Sequence, residues 1–561
     1  MRPLLGPLFS ALLALGLVGC NGSTYDGGGG DVTVTLQGQF EKPLLTPTGF
    51  SGTATLPARF SYVELRDVAT DSVLASGYLD GNGQGATTLP AGTQAYAVLY
   101  AMYEVPLVPA GSGFFMRGSV VNAPPPAPGL TGDQQVAYFN GTQDWFVTSA
   151  NTTITGPGTL TVKALASNHI AGAFNIADQA VTFAQGLQRL SPSLTLPNLH
   201  TYWTNSASSA DQTRSYPRAL QYTNGSLAIT QSNRALFTHA VYGDVSGSAN
   251  TESDAFDDAV LEETFAHLLF ADYSYHADGS SALSLLRRDN DPSYVSRFAN
   301  SEPSIAFVDG SCDFLAGALR NQAALLDSYV DGGGVARVDD FDLGVPLSGS
   351  EFVRGSVATS LWSIWQGPLG GGQSGLQTLW DLLNASHPAL DGVGDYNGAP
   401  LGCYPTYLVG LRNAVTLSTW TSIQGTFAAS GIADPSTVYF SGSTLWSNQL
   451  TLPFTATGSL AFFGPGSYRF YDQTQAQAYR FVQGSAGTRT LTLTPDPGVD
   501  FELDLIGPGG LVAASYASPF GGTRTLSVPL NAGSYVARVR VNPDSAEAYS
   551  AGSYGYSLTV N

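Results

Sequence analysis

The sequence predicts a multidomain α+β protein in which a central, mainly helical domain lies between two β-sandwiches. Residues 31–154 and 445–561 contain short runs of alternating apolar and polar side chains, the period of half-buried strands. Residues 155–440 instead repeat apolar side chains every three or four positions, the period of amphipathic helices. A chain of 561 residues also exceeds the roughly 250–300 residues that a single core can serve.

The first twenty residues precede these domains and predict an export signal. Arg2 is followed by LLGPLFSALLALGLV, an apolar run too short to cross a bilayer, and LVGC ends the run at Cys20. The pattern resembles a bacterial lipoprotein signal, in which residues 1–19 are removed and Cys20 carries the lipid. An ordinary secretory signal with an incidental cysteine is the alternative. We therefore expect a lipid-anchored protein of a bacterial cell envelope, periplasmic or at the cell surface, with a flexible tether at residues 20–30.

The charge balance excludes two classes of partner. The net charge is −20, and only 12% of the residues are charged. A chain this acidic does not favour binding to nucleic acid or adhesion to anionic lipid. The membrane contact that we expect is therefore the lipid at Cys20, because no later apolar run is long enough to span a bilayer.

Each domain is predicted from particular stretches. The N-terminal sandwich is predicted from strands such as DVTVTLQGQF and AYAVLYAMY, separated by turn clusters such as DGNGQG. The central helices are predicted at residues 170–190, 254–270, 302–329, 351–365 and 375–385. The C-terminal sandwich is predicted from runs such as TRTLTLTPD and GSYVARVRV. This last region looks like the pre-peptidase C-terminal domain, a small β-sandwich that ends many secreted bacterial peptidases.

The stretch DAFDDAVLEETFAHLL, residues 254–269, contains part of a zinc-binding pattern. It resembles the H-E-x-x-H helix of exported bacterial zinc metallopeptidases of the gluzincin type. In that motif two histidines one turn apart bind zinc, and the glutamate between them activates water. His267 matches the second histidine, whereas Glu263 stands in the place of the first and Thr264 in that of the catalytic glutamate.

A second stretch, PSIAFVDGSCDFLAGAL, resembles the part of that family that supplies the third zinc ligand, a glutamate followed by glycine. Asp309 and Gly310 occupy these two positions. The resemblance covers roughly residues 40–425 and implies a zincin-like fold for the central domain. It also implies Glu263, His267 and Asp309 as the candidate metal ligands.

These three residues are better suited to binding a metal than to hydrolysis. Positions 263 and 267 share one helix face, and two carboxylates with one imidazole suit zinc, manganese or iron. Hydrolysis also needs a general base, which Thr264 cannot provide near neutral pH. Glu262 projects about 100° away around the helix. No residue is therefore assigned as catalytic.

Three interpretations of this helix stay open: a retired zinc helix without metal, a non-catalytic metal site with altered ligands, and a working metallopeptidase. We favour the first, with zinc or another divalent transition metal as the alternative cofactor. The protein would then be a metallopeptidase-like pseudoenzyme that binds a peptide, a protein or a glycan. A purely structural role for the sandwiches is a further class.

The remaining cysteines are Cys312 and Cys403. An even pair in an exported chain predicts a disulfide bond, and two buried free thiols are the alternative.

Overall fold

The computed structural model of the chain describes residues 30–108, 114–123, 143–168, 170–192, 199–203, 214–216, 237–241, 254–277, 303–330, 336–349, 353–385, 404–432, 449–462, 476–507, 510–515, 522–541 and 552–561. The chain is a mixed α+β protein with several β-sheets. The predicted signal, the lipid attachment at Cys20, the tether up to residue 29 and Cys403 lie outside the described residues.

The N-terminal region folds into two sheets. Its strands are β1 (Asp31–Thr46), β2 (Gly49–Pro57), β3 (Ser61–Asp67), β4 (Val73–Tyr78), β5 (Gln84–Pro90), β6 (Gln94–Pro106), β7 (Phe114–Asn122), β8 (Phe146–Thr148), β9 (Thr152–Thr153) and β10 (Gly158–Ala164). One sheet has the order β10-β1-β2, with β5 also paired to β1. The other contains β7-β6-β3-β4, with β8 and β9 also paired to β6. The later strands β11 (Leu199–Trp203), β12 (Arg214–Tyr216) and β13 (Phe237–Val241) extend it in the order β12-β13-β11-β7.

The alternating pattern of these strands builds one apolar layer between the two sheets. Successive side chains of β1 point to opposite faces, so Val34, Leu36 and Phe40 are buried. Gly38 lies on the same face, and a Cβ atom there would lie 3.0 Å from a methyl group of Leu99 on β6. The two sheets therefore face each other across a core, as the sequence predicts for this region.

The middle of the chain contains the helices. They are α1 (Ala171–Leu190), α2 (Asp258–Ala277), α3 (Pro303–Arg320), α4 (Arg354–Gln366), α5 (Gly372–Ala385), α6 (Tyr404–Ala414) and α7 (Leu417–Ala429). Short 3₁₀ helices, Ala166–Asn168 and Asp254–Phe256, precede α1 and α2, and a hairpin of β14 (Ala324–Val330) and β15 (Ala336–Asp342) follows α3. In the described part of the chain, no helix has the length and apolarity that a membrane span requires.

The third predicted helix is shorter than expected, because α3 ends at Arg320 and a strand follows. Asn321 has a φ of +56° and donates its backbone N–H to the oxygen of Ala318. The N–H of Gln322 donates to the oxygen of Gly317. These bonds form a Schellman motif, and asparagine accepts its left-handed position more readily than most residues. The apolar pattern of QAALLDSY therefore belongs mainly to β14.

The C-terminal region folds into two further sheets. Its strands are β16 (Gln449–Leu450), β17 (Phe454–Phe462), β18 (Ala476–Gln483), β19 (Gly487–Pro495), β20 (Phe501–Gly507), β21 (Gly510–Ser515), β22 (Arg524–Leu530), β23 (Gly533–Val541) and β24 (Gly552–Val560). Their orders are β16-β18-β23-β20-β21 and β17-β24-β19-β22. Both sheets contribute to a core of their own, which includes Phe481, Leu491 and Leu558.

One larger core joins the N-terminal sheets to the helices. It contains Leu36 of β1, Phe174 of α1 and Phe265 of α2. In addition, β10 pairs in parallel with β1 although it follows the predicted boundary between the first two domains. Lys42 of β1 also forms a largely buried ion pair with Asp258 at the start of α2. The two regions therefore share their packing, and the boundary between them stays a prediction.

Gly310 of α3 sets how closely α4 can approach. A Cβ atom built on Gly310 would lie 2.7 Å from the backbone oxygen of Arg354 and 2.8 Å from Cβ of Val357. We expect Gly310→Ala to lower the free energy of unfolding by about 1–3 kcal/mol, because the atoms it meets cannot rotate away. Chemical denaturation of the purified protein measures this change.

Gly425→Ala in α7 is the matched control, since no described atom outside its own helix backbone lies within 4 Å of a Cβ atom built there. At an exposed helical position this substitution should raise the stability by about 0.5–1 kcal/mol. Equal effects of the two substitutions would contradict the close packing of α3 on α4.

Candidate functional site

A cluster of charged side chains is buried where α2, α3 and α4 meet. It consists of Glu263 and His267 from α2, Asp309 and Asp313 from α3, and Arg354 from the start of α4. Burying a charge is costly unless the charge is paired. The pairing within this cluster therefore decides what chemistry it can perform.

The structure brings the three predicted metal ligands together. Nε2 of His267 lies 3.7 Å from Oε1 of Glu263 and 3.7 Å from Oδ1 of Asp309. These distances exceed hydrogen-bond length, and neither ring nitrogen of His267 has a hydrogen-bond partner among the described residues. The imidazole thus lies between two carboxylates, which is the convergence that the sequence predicts.

Arg354 and Asp313 are the two members of the cluster that the sequence patterns did not predict, and they pair with each other. Nε and Nη2 of Arg354 donate to the two carboxylate oxygens of Asp313 over 2.6 and 2.8 Å. Nη2 also contacts Oε1 of Glu263, the same oxygen that faces His267. Burial alone would lower the pKa of Arg354, but the charges of Asp313 and Glu263 outweigh burial and hold the pKa above its ordinary value. The guanidinium is therefore a fixed cation inside the cluster.

A metal ion at the predicted ligands would have to share this space with the guanidinium. The distances from His267 suit an ion between imidazole and carboxylates, because zinc binds nitrogen and oxygen ligands at about 2.0–2.2 Å. However, Arg354 already contacts the oxygen of Glu263 that such an ion would need. A second cation beside that oxygen would be repelled by the guanidinium. The spacing of the donor atoms fits a metal ion, whereas the positive charge of Arg354 beside Glu263 opposes one.

The position of the family's catalytic glutamate holds a side chain that cannot act as a base. Thr264 is buried, and its Oγ1 donates to the backbone oxygen of Val260 over 2.7 Å within the same helix. Glu262 is buried next to Arg320, whose Nε lies 3.4 Å from its carboxylate. Burial raises the pKa of Glu262 well above its ordinary value, and Arg320 offsets this only in part. The structure therefore gives neither residue the role of activating water beside His267.

Cys312 is buried on α3, and its predicted disulfide partner lies outside the described residues. That partner, Cys403, directly precedes Tyr404, the first residue of α6. Tyr404 stacks against Phe307 of α3, with ring centroids 6.0 Å apart. The disulfide bond stays a prediction. It would join α3 to the residue that directly precedes α6, and these two helices contact each other through Phe307 and Tyr404.

A stripe of aromatic rings lies on the N-terminal sheet, on the face opposite to the buried Val63. It consists of Tyr62, Tyr78, Tyr100 and Phe146, on strands β3, β4, β6 and β8. Ring centroids are 5.3 Å apart for Tyr62 and Tyr78, and 5.9 Å apart for Tyr100 and Phe146. Tyr62 and Tyr100 connect the two pairs at 5.7 Å. Phe146 is 46% exposed and the three tyrosines are partly exposed, so part of this aromatic stripe is accessible.

No protein-family model and no curated protein matches the chain. Among similar solved structures, the pre-peptidase C-terminal domain of a collagenase from Bacillus anthracis is 20% identical over 20% of this chain and 93% of its own, with a TM-score of 0.16. A periplasmic inhibitor of g-type lysozyme from Aeromonas hydrophila is 13% identical over 20% of this chain and 95% of its own, with a TM-score of 0.14. A cycloisomaltooligosaccharide glucanotransferase from Paenibacillus sp. is 10% identical over 93% of this chain and 72% of its own, with a TM-score of 0.13. Similarities of this size assign neither a family nor an activity.

Removing the guanidinium tests whether it neutralises the cluster. We expect Arg354→Met to lower the free energy of unfolding by about 3–5 kcal/mol, because Asp313 and Glu263 would stay buried without their cation. Arg412→Met, at an exposed position of α6, should change it by no more than about 0.5 kcal/mol. Urea denaturation measures both. An Arg354→Met protein as stable as the parent would mean that another cation balances these carboxylates.

Glu262 should make the stability depend on pH. Its raised pKa means that the folded protein keeps the Glu262 proton at pH values where the unfolded chain has released it. The resulting cost is absent below about pH 4.5, the ordinary pKa, and grows as the pH rises above that value. Glu262→Gln should therefore be more stable than the parent at about pH 8 and not at about pH 4.

Glu41→Gln is the control of opposite sign. A hydrogen bond from Lys163 lowers the pKa of Glu41, so this carboxylate stabilises the fold above its ordinary pKa and loses that effect as the pH falls. Glu41→Gln should thus be less stable than the parent near neutral pH. Thermal unfolding across the pH range measures both variants, and parallel pH dependence of the two would contradict the burial of an ionisable Glu262.

Proposed function

We propose that the protein is a non-catalytic binding protein of the bacterial cell envelope, anchored by lipid at Cys20, with a zincin-like central domain that serves as a scaffold. The contact between Arg354 and Glu263 carries this proposal. It supplies a cation from the chain itself at the place where the resembled family holds its metal. A guanidinium binds carboxylates, but it does not generate a nucleophilic hydroxide from water as a metal ion does.

Two further features support the absence of hydrolysis. Peptide cleavage needs a general base, and the hydroxyl of Thr264 instead donates a hydrogen bond to a backbone oxygen of its own helix. A catalytic metal also needs an open position for water and substrate. His267 is 0% exposed and Asp309 is 1% exposed, which leaves a substrate almost no surface of either side chain to approach.

The alternative is a metal-dependent peptidase with Glu263, His267 and Asp309 as an altered ligand set. The state of His267 favours it, because both ring nitrogens are buried without hydrogen-bond partners among the described residues. Such a state is costly for an imidazole, and coordination would relieve it at one nitrogen. Zinc or another divalent transition metal would then supply Lewis-acid chemistry.

Metal content and peptide cleavage distinguish the two candidates. We expect elemental mass spectrometry of the purified protein to find no stoichiometric zinc, manganese or iron, and a peptide library to stay intact. Stoichiometric metal that is lost in a Glu263→Ala, Asp309→Ala double variant, together with chelator-sensitive cleavage, would overturn the proposal. Asp340→Ala, an exposed carboxylate of β15, is the matched control for the loss of metal.

The binding surface in this proposal is the aromatic stripe, and its ligand is a glycan of the cell envelope. Aromatic rings pack against the apolar C–H faces of sugar rings, while polar neighbours hydrogen-bond to the sugar hydroxyls. Glu64 and Arg66 of β3 are polar groups of this kind, and they pair with each other. Glu64 lies beside the stripe, because it accepts a hydrogen bond from Tyr100 over 3.0 Å. The overall negative charge does not oppose a glycan ligand as it opposes nucleic acid.

Sedimentation with purified peptidoglycan tests this surface. We expect the parent protein to sediment with the glycan and a Tyr100→Ser, Phe146→Ser double variant to stay in solution. Leu417→Ser is the matched control, because Leu417 of α7 is a 79% exposed apolar side chain outside the stripe. A parent protein that stays in solution, or a double variant that sediments equally well, would overturn the assignment of the stripe to glycan binding.

A further inference from the structure

A second group of carboxylates lies at the start of α2, outside the cluster around Arg354. It consists of Asp254 in the 3₁₀ helix, Asp257 directly before α2, and Asp327 in β14. One ligand oxygen from each lies within 4.8 Å of the other two. Asp254 and Asp257 are buried, whereas Asp327 is partly exposed. The chain thus gathers three acidic side chains from two separate segments at one point.

One oxygen of the Asp257 carboxylate accepts hydrogen bonds, whereas the other accepts none from the described residues. Its Oδ2 accepts hydrogen bonds from the backbone N–H and the Oγ of Ser328, over 2.6 and 2.7 Å. Among the described residues its Oδ1 has no hydrogen-bond partner, although the residue is fully buried. Buried polar atoms are nearly always paired, so an unpaired carboxylate oxygen in an acidic cluster indicates a missing ligand. This second observation separates the cluster from a merely acidic surface.

The three carboxylates that lie together indicate that this ligand is a cation. Burial raises the pKa of Asp257 well above its ordinary value, and the negative charges of Asp254 and Asp327 raise it further. The hydrogen bonds from Ser328 act in the opposite direction. A cation beside Oδ1 would offset both the repulsion and the loss of hydration.

We propose that Asp254, Asp257 and Asp327 form a calcium-binding site that fixes the start of α2 to β14. All three ligand groups are carboxylates, and hard oxygen ligands select calcium or magnesium over transition metals. Oxygens that bind one Ca²⁺ ion at about 2.3–2.6 Å lie within about 5 Å of one another, which agrees with the observed spacing. Three protein carboxylates suit calcium better than magnesium, because Mg²⁺ keeps several of its water ligands and is usually bound through one or two carboxylates.

Calorimetric titration of the chelator-treated protein with CaCl2, and separately with MgCl2, tests this site. We expect Ca²⁺ to bind with one-to-one stoichiometry and to raise Tm by a few degrees, with weaker binding of Mg²⁺. Asp327→Asn should weaken Ca²⁺ binding by about tenfold or more while the protein still folds, because this side chain is the partly exposed one. Asp340→Asn, exposed on the neighbouring strand β15, should bind Ca²⁺ like the parent.

Three results would overturn the proposal. The first is a parent protein without heat of binding or change in Tm at about 10 mM Ca²⁺, well above the affinity range of extracellular calcium modules. The second is equal Ca²⁺ affinity of the parent and the Asp327→Asn variant. The third is a preference for Mg²⁺, which would contradict the assignment to calcium. Circular dichroism of each variant shows that it is folded before titration.

Discussion

The arrangement of α2, α3 and α4 depends on the ion pairs that the buried guanidinium of Arg354 forms with Glu263 and Asp313. Arginine in the first turn of a helix is unfavourable by itself, because the helix N-terminus already carries partial positive charge. Here the carboxylates of Asp313 and Glu263 offset that cost. The planar fork of arginine meets both oxygens of Asp313 at once, which an ammonium group cannot do. Gly310 completes the arrangement, since the absence of a side chain lets the backbone of Arg354 lie close to α3.

The same logic extends along the start of α2, where four acidic side chains between residues 257 and 263 are each met by a different element. Lys42 of β1 pairs with Asp258, Arg320 of α3 lies beside Glu262, and Arg354 of α4 contacts Glu263. Ser328 of β14 donates to Asp257. Contacts between these four side chains and four separate partners fix the rotation and the position of α2 at the same time, because a small turn of the helix would break several of them. Apolar packing alone specifies such a register less strictly.

The sequence predicted the parts of this arrangement that depend on local spacing. Alternation located the strands of the sandwiches, and one helical turn between Glu263 and His267 placed both side chains on one face. The role of Arg354 depends instead on contacts with residues 41 and 91 positions away, which no local pattern contains. One signal was present: Arg354 is the single charged residue of α4, and a lone charge in a buried helix needs a partner. The sequence did not predict the helix end at Asn321, because the apolar residues that follow it fit the period of a helix as well as that of a strand.

The two hydrophobic cores place different limits on which segments of the chain can be lost or exchanged. The first core combines strands and helices from distant parts of the sequence, so a deletion of β1 would expose apolar faces of the helices. Among the described residues, the second core draws only on residues 450–560, in the C-terminal strands and their connections. A recombination event that added or removed this segment would transfer a complete packing unit and leave the first core intact. In the described part of the chain, exchange of the C-terminal sheets between proteins would therefore disturb less packing than exchange of the N-terminal sheets, which share their core with the helices.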